Sequence, residues 1–248
     1  MDATPTPELT DAELARRSLL GFGEMIASLG RWSGGAEAVI RMPGALGARI
    51  AAAADNPWFD AVIVPAGVEP PADDPRLPLC VWTTGDAVPG RAEDPEIATP
   101  CMGVALDGPE LPALGRGAAE VETAPLEVLG GINERAYGEA GVFGPLVSAL
   151  RDGRVRARGL RDGGAFVCAA MTLAVGDDLG IYFVATEESH RRRGLASGLL
   201  LAVLAAARDE GMRSATLQAS ADGLSVYERL GFRRVGTMRG YLRPGARA

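Results

Sequence analysis

The chain has 248 residues and is 47% apolar, enough to bury one large core or two smaller ones, which excludes wholesale disorder. It carries 25 basic and 32 acidic residues for a formal net charge of −7, a balance that argues against nucleic acid as the main partner. Every basic side chain apart from the single histidine is arginine, so a Gly-x-x-x-x-Gly-Lys phosphate loop is excluded for want of its lysine.

The N-terminal MDATPTPELTDAE is acidic and polar, unlike a secretory signal, and residues 1–9 are expected to be a tail. No apolar run approaches the ~18–20 residues that cross a bilayer, so the expectation is a cytoplasmic protein with no membrane partner. Thr10 and Glu13 form a capping box that should start a helix to about Leu29, with Leu14, Leu19, Phe22, Met25, Ile26 and Leu29 as its apolar stripe. A strand is expected at Ala36–Ile40, a helix at Leu46–Ala54, and strands at Phe59–Val64, Leu79–Trp82 and Cys101–Leu106. Pro-rich and acidic loops separate them, at residues 69–78 and 85–100. The Gly/Pro-rich stretch Gly108–Gly117 reads as a domain boundary, giving an accessory α/β domain over 10–117 and a second domain over 118–248.

The second domain should open with a strand near Ala119–Glu122 and helices at Pro125–Tyr137 and Gly144–Asp152. Arg154–Gly159 alternates arginine with small apolar residues, the period of a half-exposed strand. That arginine face reads as solvated, with an anion contact as the alternative. Arg161–Gly164 signals a hairpin, and Ala165–Val175 is apolar on both faces, as in a central strand. A strand at Leu179–Thr186 and a helix from Gly194 to about Glu210 follow. A strand at Ala215, a short helix over Leu224–Leu230 and a closing strand pair over Phe232–Leu242 complete the chain.

Charge is uneven. Residues 1–118 carry 8 arginines against 17 acids, and residues 119–248 carry 17 against 15, so the second half suits an anionic ligand. The three cysteines, Cys80, Cys101 and Cys168, have no paired spacing, and with the lone His190 they make no standard zinc site. They are expected as small buried apolar residues.

The most informative stretch is His190–Val203, HRRRGLASGLLLAV. A strand runs into a charged loop and then into a helix N-terminus, whose first N–H groups lack internal partners and carry partial positive charge. Arg191, Arg192 and Arg193 add full charges, and Gly194 lets a ligand approach the backbone. The ligand this suits best is a pyrophosphate.

The spacing Arg191-x-x-Gly194-x-Ala196, followed by Tyr227-x-x-x-Gly231-Phe232, resembles the two signature segments of the GNAT acyltransferase superfamily. The resemblance covers about Gly153–Pro244 and departs from the family at Ser220, often Asn, and at Gly223, often Ala. It implies an α/β fold with a mixed, mostly antiparallel sheet flanked by helices, and acetyl-coenzyme A as cosubstrate. It implies that Arg191, Arg192, Arg193, Gly194, Leu195, Ala196 and Ser197 cradle the pyrophosphate. Val184, Ala185 and Thr186 would offer a splayed strand edge to the pantetheine arm, and Ser220 would touch the cofactor or simply form a turn. Tyr227 would protonate the leaving thiolate, or else pack its helix onto the sheet. The first domain has no readable motif and loosely resembles a degenerate first half of tandem GNAT proteins.

The general base is missing from this reading, because Gly180 stands where many family members carry glutamate. Ser–His or Cys–His catalysis could use only His190, and no Gly-x-Ser-x-Gly elbow exists. The expected activity is therefore direct transfer of an acetyl group to a primary amine, without a metal or covalent intermediate, by a monomer or homodimer. The rival is a module that binds acyl-coenzyme A without turning it over. A lysine-free, Ala/Gly/Arg-rich chain also goes with a GC-rich bacterial genome.

Overall fold

A computed structural model describes residues 8–51, 56–68, 77–91, 94–107, 120–138, 141 and 143–244. The segment expected as a domain boundary, Gly108–Gly117, lies outside these residues, as do residues 1–7 of the expected tail. Leu9, the last residue of that tail, is buried against Leu14 and Ala105.

Helix α1 (Asp11–Gly34) starts as its capping box dictates, with the Glu13 N–H donating to Thr10 Oγ1 at 3.2 Å. Its apolar stripe is buried except for the partly buried Phe22, and it packs across strands from both ends of the chain. Strands β1 (Val39–Met42) and β2 (Ala45–Ala48) then form a hairpin. The stretch Leu46–Ala54, expected as a helix, instead begins with this strand. Pro43-Gly44 turns the chain tightly, and the small Ala48 lets β2 pass so close to α1 that a Cβ on Gly30 would collide with it.

Strands β3 (Ala61–Val64), β4 (Cys80–Thr83) and β5 (Ile97–Ala105) follow. β5 reaches back over Ile97–Pro100, the end of the stretch expected as loop over 85–100. Next come β6 (Glu122–Thr123), α2 (Leu126–Tyr137) and α3 (Phe143–Ser148). Then come β7 (Val155–Asp162), β8 (Ala165–Val175) and β9 (Asp178–Thr186). The last elements are α4 (Leu195–Asp209), β10 (Ser214–Gln218), α5 (Leu224–Arg229) and β11 (Arg233–Leu242).

The eleven strands among the described residues join one sheet in the order β1-β2-β3-β4-β11-β5-β10-β9-β8-β7-β6. Among the described residues only β3/β4 and β9/β10 are parallel pairs. Read outward from the central β11/β5 pair, both arms begin antiparallel, parallel, antiparallel, antiparallel, and the short β6 adds a further antiparallel pair to the β7 end. Each half of the chain places its last strand in the other half's arm. The closing strand pair expected over Phe232–Leu242 is thus one long strand, kinked by a register shift between Arg234 and Gly236. Its antiparallel neighbours are β4 and β5, so it has no need to fold back on itself.

Helices α1, α2 and α3 cover one face of the sheet, and α4 and α5 pack on the other over β8, β9 and β10. The three cysteines are buried, and burial pushes the Cys101 and Cys168 thiols up to about 11. Arg154, just ahead of β7, pairs with Asp152 and Glu24, and the arginines of β7 also have partners within the chain: Arg156 with the carbonyls of Gly153 and Val155, Arg158 with Thr123, and Arg161 with Glu122 and the face of Phe166. No helix among the described residues is long and apolar enough to cross a membrane.

Candidate active site

Strands β9 and β10 pair only over Asp178–Gly180 and Ser214–Thr216. Beyond that point β9 runs on to Thr186 with β8 as its paired neighbour, while β10 continues to Gln218 paired with β5 alone. The register against β8 slips between Ala169 and Met171, and Phe183 takes a left-handed φ of 53°. A left-handed phenylalanine inside a strand is a strained conformation that its surroundings must hold. Asn133 on α2 does so, donating from Nδ2 to the Phe183 carbonyl at 3.0 Å and to the Leu129 carbonyl at 2.9 Å.

The pairing that anchors the fork is held by Asp178. It accepts from Ser214 Oγ at 2.5 Å and Thr216 Oγ1 at 2.7 Å, and burial pushes its carboxyl up to about 6. Gly180 sits on this stretch because the Tyr182 ring crosses it; any Cβ there would run into the ring. That contact explains why no glutamate stands at this position.

Past Thr186 the chain makes one turn at Glu188–His190 and reaches the head of α4. Arg192 (φ 61°) and Gly194 (φ 77°) are both left-handed, a backbone form that turns neighbouring N–H groups to one side. Gly194 is the N-cap and supplies no side-chain bond to the first turn, Leu195, Ala196 and Ser197. A Cβ built on Gly194 would meet nothing within 4 Å, so the space over this backbone is open. The backbone geometry, helix terminus and charge fit a pyrophosphate.

The three arginines are exposed, but they differ. Arg191 turns back, donating to the carbonyls of Thr186 at 3.2 Å and Ala136 at 3.0 Å, and so ties the end of β9 to α2. Arg193 lies 3.6 Å from Asp162. His190 is half-buried, with Nε2 3.3 Å from Asp162 and Nδ1 2.8 Å from Ser189 Oγ, rather than the solvent-exposed loop residue its neighbours suggest.

On the α5 side, Ser220 Oγ accepts from the Gly223 N–H at 3.3 Å, the turn expected of a serine at this place. Gly223 replaces a larger residue because a Cβ would lie 2.7 Å from the Tyr227 ring. Tyr227 is buried beside Phe232, and burial holds its phenol far above the ordinary tyrosine range.

Val184, Ser220 and Tyr227 meet in a cleft of about 330 Å³. Arg191–Ser197 lie outside its wall, at the head of α4, and Ala185 and Thr186 lie on the strand that joins the two. The rest of the wall was not foreseen. It includes Phe22, Trp58, Trp82, Ile97 and Met238 from elements paired or packed across the sheet, with Asn133, Tyr137, Phe143, Tyr182 and Phe183. No motif marks these residues, because they come together only through the interleaved sheet. A larger cleft of about 940 Å³ lies between α1, the β1–β2 hairpin and β11. The smaller one is the better candidate, since the fork, the strained Phe183 and Tyr227 all converge on it.

Residues 158–234 match the family model of the acetyltransferase (GNAT) domain. A GCN5-related N-acetyltransferase from Kribbella flavida has the same fold, with a TM-score of 0.58, 21% identity, and coverage of 91% of this chain and 97% of its own. A GNAT-family protein from Novosphingobium aromaticivorans aligns with a TM-score of 0.55 and 17% identity over 87% of this chain and 95% of its own. No curated protein sequence matches the chain. The architecture expected from the sequence, a mostly antiparallel sheet flanked by helices, is the one these proteins share.

Proposed function

We propose that the chain, whose residues 158–234 carry the GNAT acetyltransferase domain, is an acetyl-coenzyme A-dependent N-acetyltransferase acting on a primary amine. The observation that carries this reading is the divergence of β9 from β10, one turn ahead of an uncapped, arginine-flanked helix N-terminus. When bound, acetyl-coenzyme A supplies a thioester, which an amine can attack directly. Val184, Ala185 and Thr186 would hold the pantetheine arm along the free edge of β9. The N–H groups of Leu195, Ala196 and Ser197, with Arg192, Arg193 and Gly194, would hold the pyrophosphate; Arg191 would brace the loop from behind. Backbone N–H groups at the fork would face the thioester oxygen and stabilise its developing charge.

Tyr227 would give its phenolic proton to the departing sulfur. The C–S bond breaks as the C–N bond forms, and the proton lost by the attacking nitrogen balances the one gained by the thiol. A buried phenol with a raised pKa keeps its proton throughout the neutral range, so the proton is in place when the sulfur departs.

A second reading, a binding module without turnover, is favoured by one observation: all the described residues in the cleft wall are uncharged, so none is a carboxylate base. Thiol release from acetyl-coenzyme A across a panel of amines separates the two. The transferase reading expects release that depends on the amine, together with a thermal shift from acetyl-coenzyme A that adenosine does not give. A ligand at a hundredfold excess over its Kd stabilises the fold by ~2.7 kcal/mol. Equal shifts from both compounds would remove the cradle, and a cofactor-specific shift without amine-dependent release would leave only the binding module.

A further inference from the structure

We infer that the acceptor is a small primary amine on an aromatic or apolar group with no second charge, and that Asn133 receives its N–H. This rests on the cleft being the acceptor side of an acetyltransferase site. The wall is built from rings. Phe22 packs on Trp82 at 5.7 Å, Trp58 on Trp82 at 5.7 Å, and Phe143 on Phe183 at 5.4 Å between centroids. Ring edges and faces suit an aromatic guest and tolerate one ammonium. The remaining described lining is aliphatic or neutral and polar. A polyamine or a many-amine sugar would bring several charges into this wall with no carboxylate to meet them. A free amino acid would bury a carboxylate with no arginine to receive it.

Asn133 Oδ1 and the Tyr182 hydroxyl are buried in the same wall and lack a hydrogen-bond partner among the described residues. For Asn133 the orientation of the amide is fixed. Both neighbours of its nitrogen are carbonyl oxygens, which can only accept, so the nitrogen must face them and the oxygen is left over. Asn133 is 1% exposed, and a buried acceptor without a donor is costly enough to call for an explanation. An amine brings the missing donor. The same side chain would thus hold the Phe183 bulge with its nitrogen and the acceptor with its oxygen, placing the nucleophile against the fork.

Binding can be read without turnover, because Trp58 and Trp82 stand in the wall and report occupancy by fluorescence. Phenethylamine, phenylalanine, spermidine and ethylbenzene would be titrated into the protein. The expected result is saturable quenching by phenethylamine, binding at least ~10-fold weaker for phenylalanine, which adds only a carboxylate, and no saturation by spermidine. Spermidine or phenylalanine binding as tightly as phenethylamine would overturn the acceptor class.

Asn133→Leu should weaken phenethylamine at least ~10-fold while leaving ethylbenzene, which has no N–H, unchanged. Equal loss for both ligands would mean that Asn133 only shapes the cleft, and would overturn its role as the amine's partner. Calorimetry with acetyl-coenzyme A, done separately, tests the transferase reading. Selective amine binding without cofactor binding would sink that reading and leave the cleft an aromatic-amine site in which Asn133 receives the N–H.

Discussion

Tyr227 shows how much one side chain's surroundings decide. Its ring presses on Gly223 and Phe232, and the residue as a whole is buried. Tyr227→Phe keeps the packing and removes only the proton, so acetyl-coenzyme A affinity should change little. Turnover should fall by ~10²–10⁴, the usual contribution of a general acid. The pH dependence has a definite sign. Burial raises the phenol's pKa above its ordinary ~10, so the wild-type tyrosine keeps its proton through pH 10. An alkaline limb below pH 10 therefore cannot come from Tyr227 and should persist in the variant. Steady-state kinetics across pH on both proteins checks this; near-normal turnover of a folded Tyr227→Phe would retire it as the acid.

At the scale of elements, the head of α4 links sequence to chemistry most directly. Gly194 is left-handed at φ 77° with open space over it. Gly194→Val forces a β-branched residue into that conformation, at a cost of ~1–3 kcal/mol, within the usual 5–15 kcal/mol of a stable fold. Its branches would stand in the space a pyrophosphate needs. Calorimetric affinity for acetyl-coenzyme A should drop at least ~100-fold while circular dichroism stays native. Undiminished affinity would take the cradle out of the mechanism.

This helix, the capping box of α1 and the doubly apolar β8 were legible in the sequence because their signals are local: a periodicity, a cap, an unbroken apolar run. The strand at Ala45–Ala48 was not, since alanine and glycine suit a helix end or a tightly packed strand alike, and only contact with α1 decides. The Phe183 bulge, Asn133 and the tryptophans of the cleft wall were equally hidden. Their roles depend on partners far away in the chain, which no local pattern encodes.

The whole molecule is organised by exchange. β11 is paired with β4 and β5, both from the first half of the chain, and β5 is paired with β11 and β10, both from the second. The first four pairs of each arm of the sheet repeat one order of pairing senses about that centre, with β6 an addition to one arm. We propose on this basis that residues 10–117 are an accessory half laid out like the GNAT half at 118–248, and that the two are one folding unit. Helix α1 adds to the coupling, because Arg17 bridges from it to Ser214 Oγ at 2.9 Å and to Asp177 at 2.8 Å, beside the anchor of the β9/β10 fork.

A chain of residues 118–248 alone would leave β11 without either strand neighbour, strip β5 from β10 and uncover the apolar face beneath α1. Exposed strand edges and a large apolar face lead to aggregation rather than to a smaller stable domain. The fragment should therefore be insoluble or melt without a cooperative transition. Co-expression with residues 1–117 as a separate chain should restore a soluble complex that acetyl-coenzyme A stabilises. A fragment 118–248 that melts cooperatively and binds the cofactor by itself would show that the exchanged strands are dispensable, and would make the first half an independent domain after all.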